Sequence, residues 1–223
     1  FFENEGNAAL FQARHITPAR QQTVLHGAGV NLEYYPCRPY PQREQVRFLY
    51  LGRIMQEKGI DELFYAIRTL YETYGQKVGL DLVGFFEDAY KDQVAALERD
   101  GIAVFHGFQQ DPRPFYEQAN CIVLPSYHEG MSNVLLEGAA TGRALIASDI
   151  PGCREAVEDG VSGYLCPVKD REGLLEAMER FLACTPQERA DMGRHSRERM
   201  EQYFSKEQVV EKTVRAILEE TEC

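Results

Sequence analysis

The chain has 223 residues and a formal net charge of −11, and 44% of its residues are hydrophobic while 26% are charged. This balance is typical of a globular protein, and an acidic charge without a basic cluster argues against a nucleic-acid backbone as partner. No apolar run approaches the roughly 20 residues of a membrane-spanning helix. The six cysteines are scattered without a CxxC pair, which indicates a reducing compartment rather than a disulfide framework or a zinc site.

The opening residues, FFENEGNAALFQARHI, do not look like the start of a natural protein. They lack an initiating Met and begin in the middle of a pattern, so we expect a fragment with an upstream part missing. Residues 36–45, PCRPYPQREQ, form a Pro-rich connector before the first clear strand. The sequence therefore predicts a boundary between residues 1–45 and the domain that follows.

After residue 45, short apolar runs alternate with longer amphipathic segments. The predicted strands are 46–52, 79–84, 102–107, 121–126, 144–148 and 163–166, and the predicted helices are 58–75, 88–100, 112–119, 132–142, 152–159 and 170–183. This alternation is typical of βαβ units and a parallel sheet covered on both faces. Two polar helices, with natural starts at Pro186 and Ser205, follow the last strand. We predict a Rossmann-like α/β domain of about six strands over residues 46–205 and a C-terminal helix over 206–223.

Ligands of open parallel sheets bind beyond the carboxyl ends of the strands, and the loop after the first predicted strand carries charge there. Strand 46–51 ends at Gly52, and Arg53 and Lys58 follow before a helix begins. Two cations five residues apart can converge on one anion, and a diphosphate carries enough charge to use both. On spacing alone, the alternative that both are solvated loop residues stays open.

The loop YHEGMS, after strand 121–126, leads into a helix for which Ser132 is a good N-cap. The N–H groups from Gly130 to Val134 would be free there and would form an anion site. Glu129, which precedes them, is placed to accept hydrogen bonds from the hydroxyl groups of a ligand.

Glu137 lies further along the same helix among small and apolar residues. A charge that loses its water without a partner costs several kcal/mol, so this carboxylate needs an explanation. Two adjacent ribose hydroxyls would bond it in bidentate fashion. The alternatives are a salt bridge to Arg143 or a side chain that reaches solvent.

A third loop, FHGFQQDP, follows strand 102–107. Its backbone near Phe108 and Gln109 could contact a flat heterocycle. A phenylalanine in a loop can equally be a packing residue, and the sequence does not distinguish packing from contact with a ligand.

Taken together, these loops resemble the C-terminal domain of a retaining glycosyltransferase of the bacterial "group 1" class, family 4, with the two-Rossmann-domain (GT-B) architecture. The matching segments are GRIMQEKGIDEL, VLPSYHEGMSNVLLEGAATGRALIASDIPGCREAVEDGVSGYLCPVKD and, more loosely, VFHGF. Glu129 and Glu137 match the Glu-x7-Glu signature of that family, and the resemblance covers roughly residues 25–205.

The resemblance implies a role for each matching position. Arg53 and Lys58 would hold the diphosphate of a sugar nucleotide as leaving group, without a metal or other cofactor, and Glu129 would bind the donor sugar. The catalytic set is then Arg53, Lys58 and Glu129, and the donor-binding set is Gly52, Phe108, Gly130, Met131, Ser132, Asn133, Val134 and Glu137. Glu137 would bind the ribose hydroxyls, and the backbone from Gly130 to Val134 the sugar hydroxyls and the distal phosphate.

Members of the class also have an N-terminal domain that binds the acceptor, and residues 1–16 resemble only its closing segment. The resemblance therefore implies that the whole protein is a hexosyl- or N-acetylhexosaminyl-transferase. The fragment represented by this chain is expected to be inactive by itself. Its expected partners are a nucleotide sugar and the missing acceptor domain, with no nucleic acid. The expected location is the cytoplasm, with peripheral contact to the inner face of the membrane through the missing domain. A stand-alone nucleotide-sugar-binding subunit and a sugar-nucleotide epimerase stay open as alternatives.

Overall fold

The computed structural model describes residues 1–25 and 27–221, with the backbone alone at 219–221. The described residues form one parallel six-stranded sheet in the order β3-β2-β1-β4-β5-β6. The strands are β1 (Val46–Ile54), β2 (Val78–Phe86), β3 (Ala103–Phe105), β4 (Cys121–Leu124), β5 (Ala144–Ser148) and β6 (Gly163–Cys166). All six predicted strands and the Rossmann-like fold are thus confirmed.

Helices cover both faces of this sheet. The helices of the described residues are α1 (Glu5–Ala13), α2 (Ile60–Tyr74), α3 (Lys91–Arg99), α4 (Arg113–Gln118), α5 (Asn133–Ala140), α6 (Arg171–Ala183), α7 (Pro186–Tyr203) and α8 (Lys206–Thr221). The helix α8 occupies the segment predicted over 206–223, whose last two residues lie outside the described ones. No helix within the described ranges combines the length and the apolar character needed to cross a membrane.

The two faces of the sheet are covered by different helix pairs. On one face α2 packs against α6, and the Phe48 ring of β1 lies 5.9 Å from the Phe181 ring of α6. On the other face α5 packs against α7, and Gly138 brings α5 directly onto the Ile122 side chain of β4. The central strands are therefore buried on both sides, as their continuous apolar runs require.

The sheet order places a switch point between β1 and β4. From β1 the chain first builds β2 and β3 on one side, and then returns to add β4, β5 and β6 on the other. The loops after β1 and β4 therefore diverge to opposite sides and leave a crevice at the carboxyl edge between them. Pro125 follows β4 at this edge, where its missing N–H stops the ladder.

The helix predicted over residues 152–159 is wrong, because residues 151–156 form turns. Gly152 has the left-handed φ of +88°, which an interior helix residue does not adopt. Its N–H donates to Glu155 Oε2 at 2.7 Å, and its carbonyl accepts the Ser132 N–H at 3.0 Å. The first bond closes a turn within the segment, and the second ties the segment to the loop after β4.

Replacing Gly152 with alanine is predicted to destabilise the fold. A Cβ there would lie 2.5 Å from Gly130 O and 2.7 Å from Glu129 O, in addition to the strained φ. The matched control is Gly160→Ala, since Gly160 has a similar φ of +76° and nothing within 4 Å of an added Cβ.

We expect urea unfolding to show a loss of about 1–2 kcal/mol for Gly160→Ala, from the backbone strain alone. For Gly152→Ala we expect about 3–5 kcal/mol, the range of substitutions that force a packed segment apart. Equal losses in the two variants would show that the contact with residues 129–130 does not constrain the fold.

Candidate functional site

An ion pair joins the loops that follow β1 and β4. Lys58 Nζ lies 2.6 Å from Glu129 Oε1, and the two side chains are only 18% and 14% exposed. The main chain fixes the same junction, because the Tyr127 N–H donates to Glu57 O at 2.9 Å. The pair therefore spans the switch point of the sheet, where a ligand of this fold is expected.

The pKa values of two buried groups are raised by the Glu129 carboxylate. Burial raises the pKa of the Tyr50 hydroxyl, the Glu129 carboxylate raises it further, and the Arg53 guanidinium opposes the rise. Burial also raises the pKa of the Cys153 thiol, Glu129 adds to that rise, and Lys58 opposes it. Arg53 and Glu129 thus both lie within electrostatic range of one hydroxyl group, that of Tyr50.

The Arg53 side chain points to the loop after β2. Its Nη1 donates to Glu87 Oε2 at 2.8 Å, and both side chains are nearly half exposed. The Tyr50 hydroxyl holds the Arg53 carbonyl at 2.5 Å, which fixes the backbone just after Gly52. The structure therefore joins Lys58 to Glu129 directly, whereas the convergence of Arg53 on the same anion stays a prediction.

The start of α5 presents free N–H groups at the crevice. Ser132 caps the helix through a long 3.4 Å bond from the Leu135 N–H to its hydroxyl. The Ser132 N–H is not free, since it donates to Gly152 O. Within the described part of the chain, the N–H groups of Met131, Asn133 and Val134 contact no acceptor. Three donors at a helix N-terminus are suited to an anion.

The Glu137 carboxylate is held by tyrosine hydroxyls. Tyr116 donates to Glu137 Oε2 at 2.8 Å, and a hydrogen bond from Tyr35 also stabilises the carboxylate. Burial nevertheless raises the pKa of the Glu137 carboxyl above its ordinary value, while the two hydroxyls oppose the rise. The carboxylate lines a cleft of about 190 Å³ together with Asn133 and Tyr35.

The predicted alternative of a salt bridge between Glu137 and Arg143 is wrong. Arg143 is fully buried, and its guanidinium donates to main-chain carbonyls. The acceptors are the carbonyl oxygens of Arg38, Pro39, Tyr116, Glu117 and Gly142. Burial lowers the pKa of Arg143 to about 10, so the side chain stays charged at neutral pH. Arg143 thus anchors the Pro-rich connector to the domain, and the hydrogen-bond donors to Glu137 are tyrosine hydroxyls instead.

The loop after β3 is held rigidly and presents an aromatic ring. The Gly84 N–H donates to Gly107 O at 2.9 Å, and Gln109 Nε2 donates to His106 O at 2.6 Å. The Phe108 side chain is 71% exposed, with its ring 6.5 Å from that of Phe85. Because it is so exposed, Phe108 is not a packing residue of the core.

Sequence reasoning missed the groups that support the predicted site residues. Tyr35, Tyr116, Glu87 and Gly152 are each far from their partners along the chain, so spacing gives no signal for them. The one available signal was the buried acid, because Glu137 required a hydrogen-bond donor. Among the described residues no group of three metal-ligating side chains comes together; that no metal is required stays a prediction.

A family model described as "Glycosyl transferases group 1" matches residues 45–184, more than half of the chain. The lipopolysaccharide core biosynthesis glycosyltransferase LpsE of Rhizobium meliloti is 31% identical over 137 residues, which cover 60% of this chain and 38% of that protein. The capsular polysaccharide biosynthesis glycosyltransferase CapM of Staphylococcus aureus is 28% identical over 159 residues, or 70% and 41% of the two chains. The chain therefore spans about two fifths of the length of these relatives.

Two solved structures share the fold over nearly the whole chain. The sucrose-phosphate synthase of Thermosynechococcus elongatus superimposes with a TM-score of 0.79 at 24% identity, covering 96% of this chain and 56% of that one. Anabaena Alr3699/HepE in complex with UDP gives a TM-score of 0.83 at 17% identity, with coverage of 98% and 63%. At these identities the likeness shows the fold.

The raised pKa of Glu137 predicts a pH-dependent stability difference between the wild type and Glu137→Gln. A carboxyl whose pKa is higher in the folded state stabilises the fold at low pH, and this contribution is lost as the pH rises through the folded-state pKa. Glutamine keeps an acceptor for Tyr116 but does not titrate. Urea unfolding at a series of pH values should therefore show Glu137→Gln gaining stability relative to the wild type above the ordinary glutamate pKa of 4.5.

The matched control is Glu176→Gln, an exposed glutamate on α6, for which we expect no such trend. A constant difference between the wild type and Glu137→Gln across the pH range would contradict the burial of a charged carboxylate at this position.

Proposed function

Because the chain belongs to the group 1 glycosyl transferases, we propose that it is the donor-binding domain of a retaining glycosyltransferase. The donor would be a nucleotide-diphosphate sugar, and the acceptor a glycan or glycolipid. The observation that carries this proposal is the Lys58–Glu129 ion pair at the switch point, beside the free N–H groups that begin α5. A cation and several amide donors are what a diphosphate requires.

Lys58 is the first candidate for the diphosphate. Its ammonium group has three donors and uses one on Glu129, so two remain for phosphate oxygens. Both partners are largely shielded from water, where electrostatic interactions are stronger than in solution. Negative charge that develops on the departing diphosphate would then be stabilised by a cation already in place.

Arg53 would complete the binding of the diphosphate. Its present partner, Glu87, forms a half-exposed pair with it, and such pairs contribute only about 0–1 kcal/mol. A diphosphate can therefore draw the guanidinium away at little cost. The hydrogen bond from the Tyr50 hydroxyl to the Arg53 carbonyl supports this assignment, because it holds the Arg53 backbone near the carboxyl end of β1.

Glu129 and Glu137 would then bind different parts of the donor. Glu129, once Lys58 contacts phosphate, has carboxylate oxygens available for hydroxyl groups of the sugar. Glu137 already accepts hydrogen bonds from tyrosine hydroxyls, and it lines a cleft with Asn133. Ribose hydroxyls are donors of the same kind, and they would offset the cost of burying this charge.

The nucleobase would lie at the loop after β3. Phe108 offers an exposed aromatic face there, and the backbone around it is fixed by the bonds at Gly107 and His106. Three similar solved structures, all of HepE, contain UDP, UDP with glucose, or UDP-glucose, which supports a nucleotide as ligand without giving its place. These matches favour a uridine nucleotide as the first probe.

A further domain would supply the acceptor site and complete the activity. Because the chain spans about two fifths of its curated relatives, we propose that the acceptor site lies on a further domain. This chain alone would then bind a donor but transfer sugar inefficiently. A cytoplasmic location with peripheral membrane contact through that domain, hexosyl or N-acetylhexosaminyl transfer, and catalysis without a metal are parts of the same proposal.

The diphosphate role of Lys58 predicts a loss of affinity for uridine diphosphate in Lys58→Met. Methionine keeps the length of the side chain and removes the charge, and a hydrogen bond to a charged group contributes about 1.5–3 kcal/mol, which is roughly a 10- to 100-fold change in affinity. The matched control is Lys77→Met, since Lys77 is exposed at the opposite, amino end of β2. Calorimetric titration should show the loss in Lys58→Met alone; equal affinity in both variants would refute the role.

The ribose role of Glu137 predicts that this residue distinguishes uridine diphosphate from 2′-deoxyuridine diphosphate. We expect the wild type to prefer the ribonucleotide by about tenfold, the effect of one charged hydrogen bond. In Glu137→Ala this preference should disappear, whatever the overall affinity. Calorimetry with both nucleotides measures the ratio, and a ratio that survives the substitution rules the ribose contact out.

A further inference from the structure

The N-terminal segment contacts the loop that carries Glu129. Asn4 is buried, although it is polar and lies outside the sheet domain. Its Nδ2 donates to Gly130 O at 2.7 Å, across 126 positions of sequence. Its Oδ1 accepts the Asn7 N–H at 2.8 Å and so caps α1. One side chain therefore begins a helix and holds a carbonyl of the candidate site.

Gly152 packs against the same stretch of this loop. Gly152 lies against both Glu129 O and Gly130 O, since an added Cβ there would meet them at 2.7 and 2.5 Å. Both carbonyl oxygens therefore lie close to Gly152, and that of Gly130 accepts the hydrogen bond from Asn4.

The direction of the Gly130 carbonyl fixes the direction of the Met131 N–H. In a planar trans peptide, the C=O and the N–H point to opposite sides. Because the Gly130 carbonyl accepts from Asn4, the Met131 N–H points away from Asn4, and it contacts no acceptor within the described residues. An N–H without an acceptor, next to the start of a helix, is available to donate to an anion.

We propose that Asn4 is a positioning residue that holds the Gly130–Met131 peptide so that the Met131 N–H faces the distal phosphate of the donor. The proposal rests on the function proposed above, because it needs a diphosphate in the crevice. It goes beyond that function by giving a role in donor binding to a residue outside the sheet domain. The hydrogen bond to the carbonyl also polarises the peptide and so strengthens the N–H as a donor.

A structural role for Asn4, as the cap of α1, can be separated from the positioning role. Aspartate has the same shape and is an equally good N-cap, so Asn4→Asp keeps the bond from the Asn7 N–H. The carboxylate cannot donate to Gly130 O, and it repels that carbonyl. The matched control is Asn7→Asp, which makes the same amide-to-carboxylate change at an exposed position one turn away.

The test compares the affinities of uridine diphosphate and uridine monophosphate, which lacks the distal phosphate, by calorimetry. We expect Asn4→Asp to bind the diphosphate about tenfold more weakly than the wild type does, with the affinity for the monophosphate unchanged within twofold. Asn7→Asp should bind both as the wild type does. The serine of Asn4→Ser still caps α1, but its short side chain does not reach Gly130. This variant should show the same loss of diphosphate affinity as Asn4→Asp, and it serves as the test if the aspartate variant fails to fold.

Two results would overturn the positioning role: an equal loss of affinity for both nucleotides, which a merely structural residue would cause, or no loss for either. A wild type that does not prefer the diphosphate to the monophosphate would instead overturn the proposed diphosphate site itself. The two failures are therefore distinguishable in one set of titrations.

Discussion

The Lys58–Glu129 ion pair is the interaction on which the candidate site depends. It joins the loops after β1 and β4, the two neighbouring strands between which the strand order reverses. Because both side chains are largely removed from water, each needs the other, and the loss of one would leave a buried charge without a partner. The crevice is therefore held in one shape before any ligand arrives. An anion that enters it meets a cation whose position is already fixed.

The same principle explains the remaining charged groups of the site. Glu137 is satisfied by tyrosine hydroxyls, Arg53 by Glu87, and the Gly130 carbonyl by Asn4. The hydroxyls and Glu87 are partners that a ligand can replace, whereas the contact with the Gly130 carbonyl is fixed. The site thus combines a rigid backbone with exchangeable side-chain contacts, and this lowers the cost of ordering when a ligand binds.

The sheet could be predicted from the sequence because its buried strands are continuous apolar runs between turns. The candidate residues at the strand ends followed from the fold, because parallel strands bring their carboxyl ends to one edge. Glu137 was recognised as a buried acid, but its tyrosine partners were not, since they come from distant segments. The helix predicted over 152–159 failed because the contact of Gly152 with the Glu129 loop overrides local helix preference, and no local pattern contains that contact.

The measurement that tests the central claim most directly is the change in backbone amide NMR shifts when uridine diphosphate is added to the isotope-labelled chain. If the crevice binds the nucleotide, the largest shifts will occur at Met131, Asn133 and Val134 and in the loop from Gly52 to Lys58. Shifts confined to another surface, such as the cleft lined by Gly160, Tyr164 and His195, would contradict it.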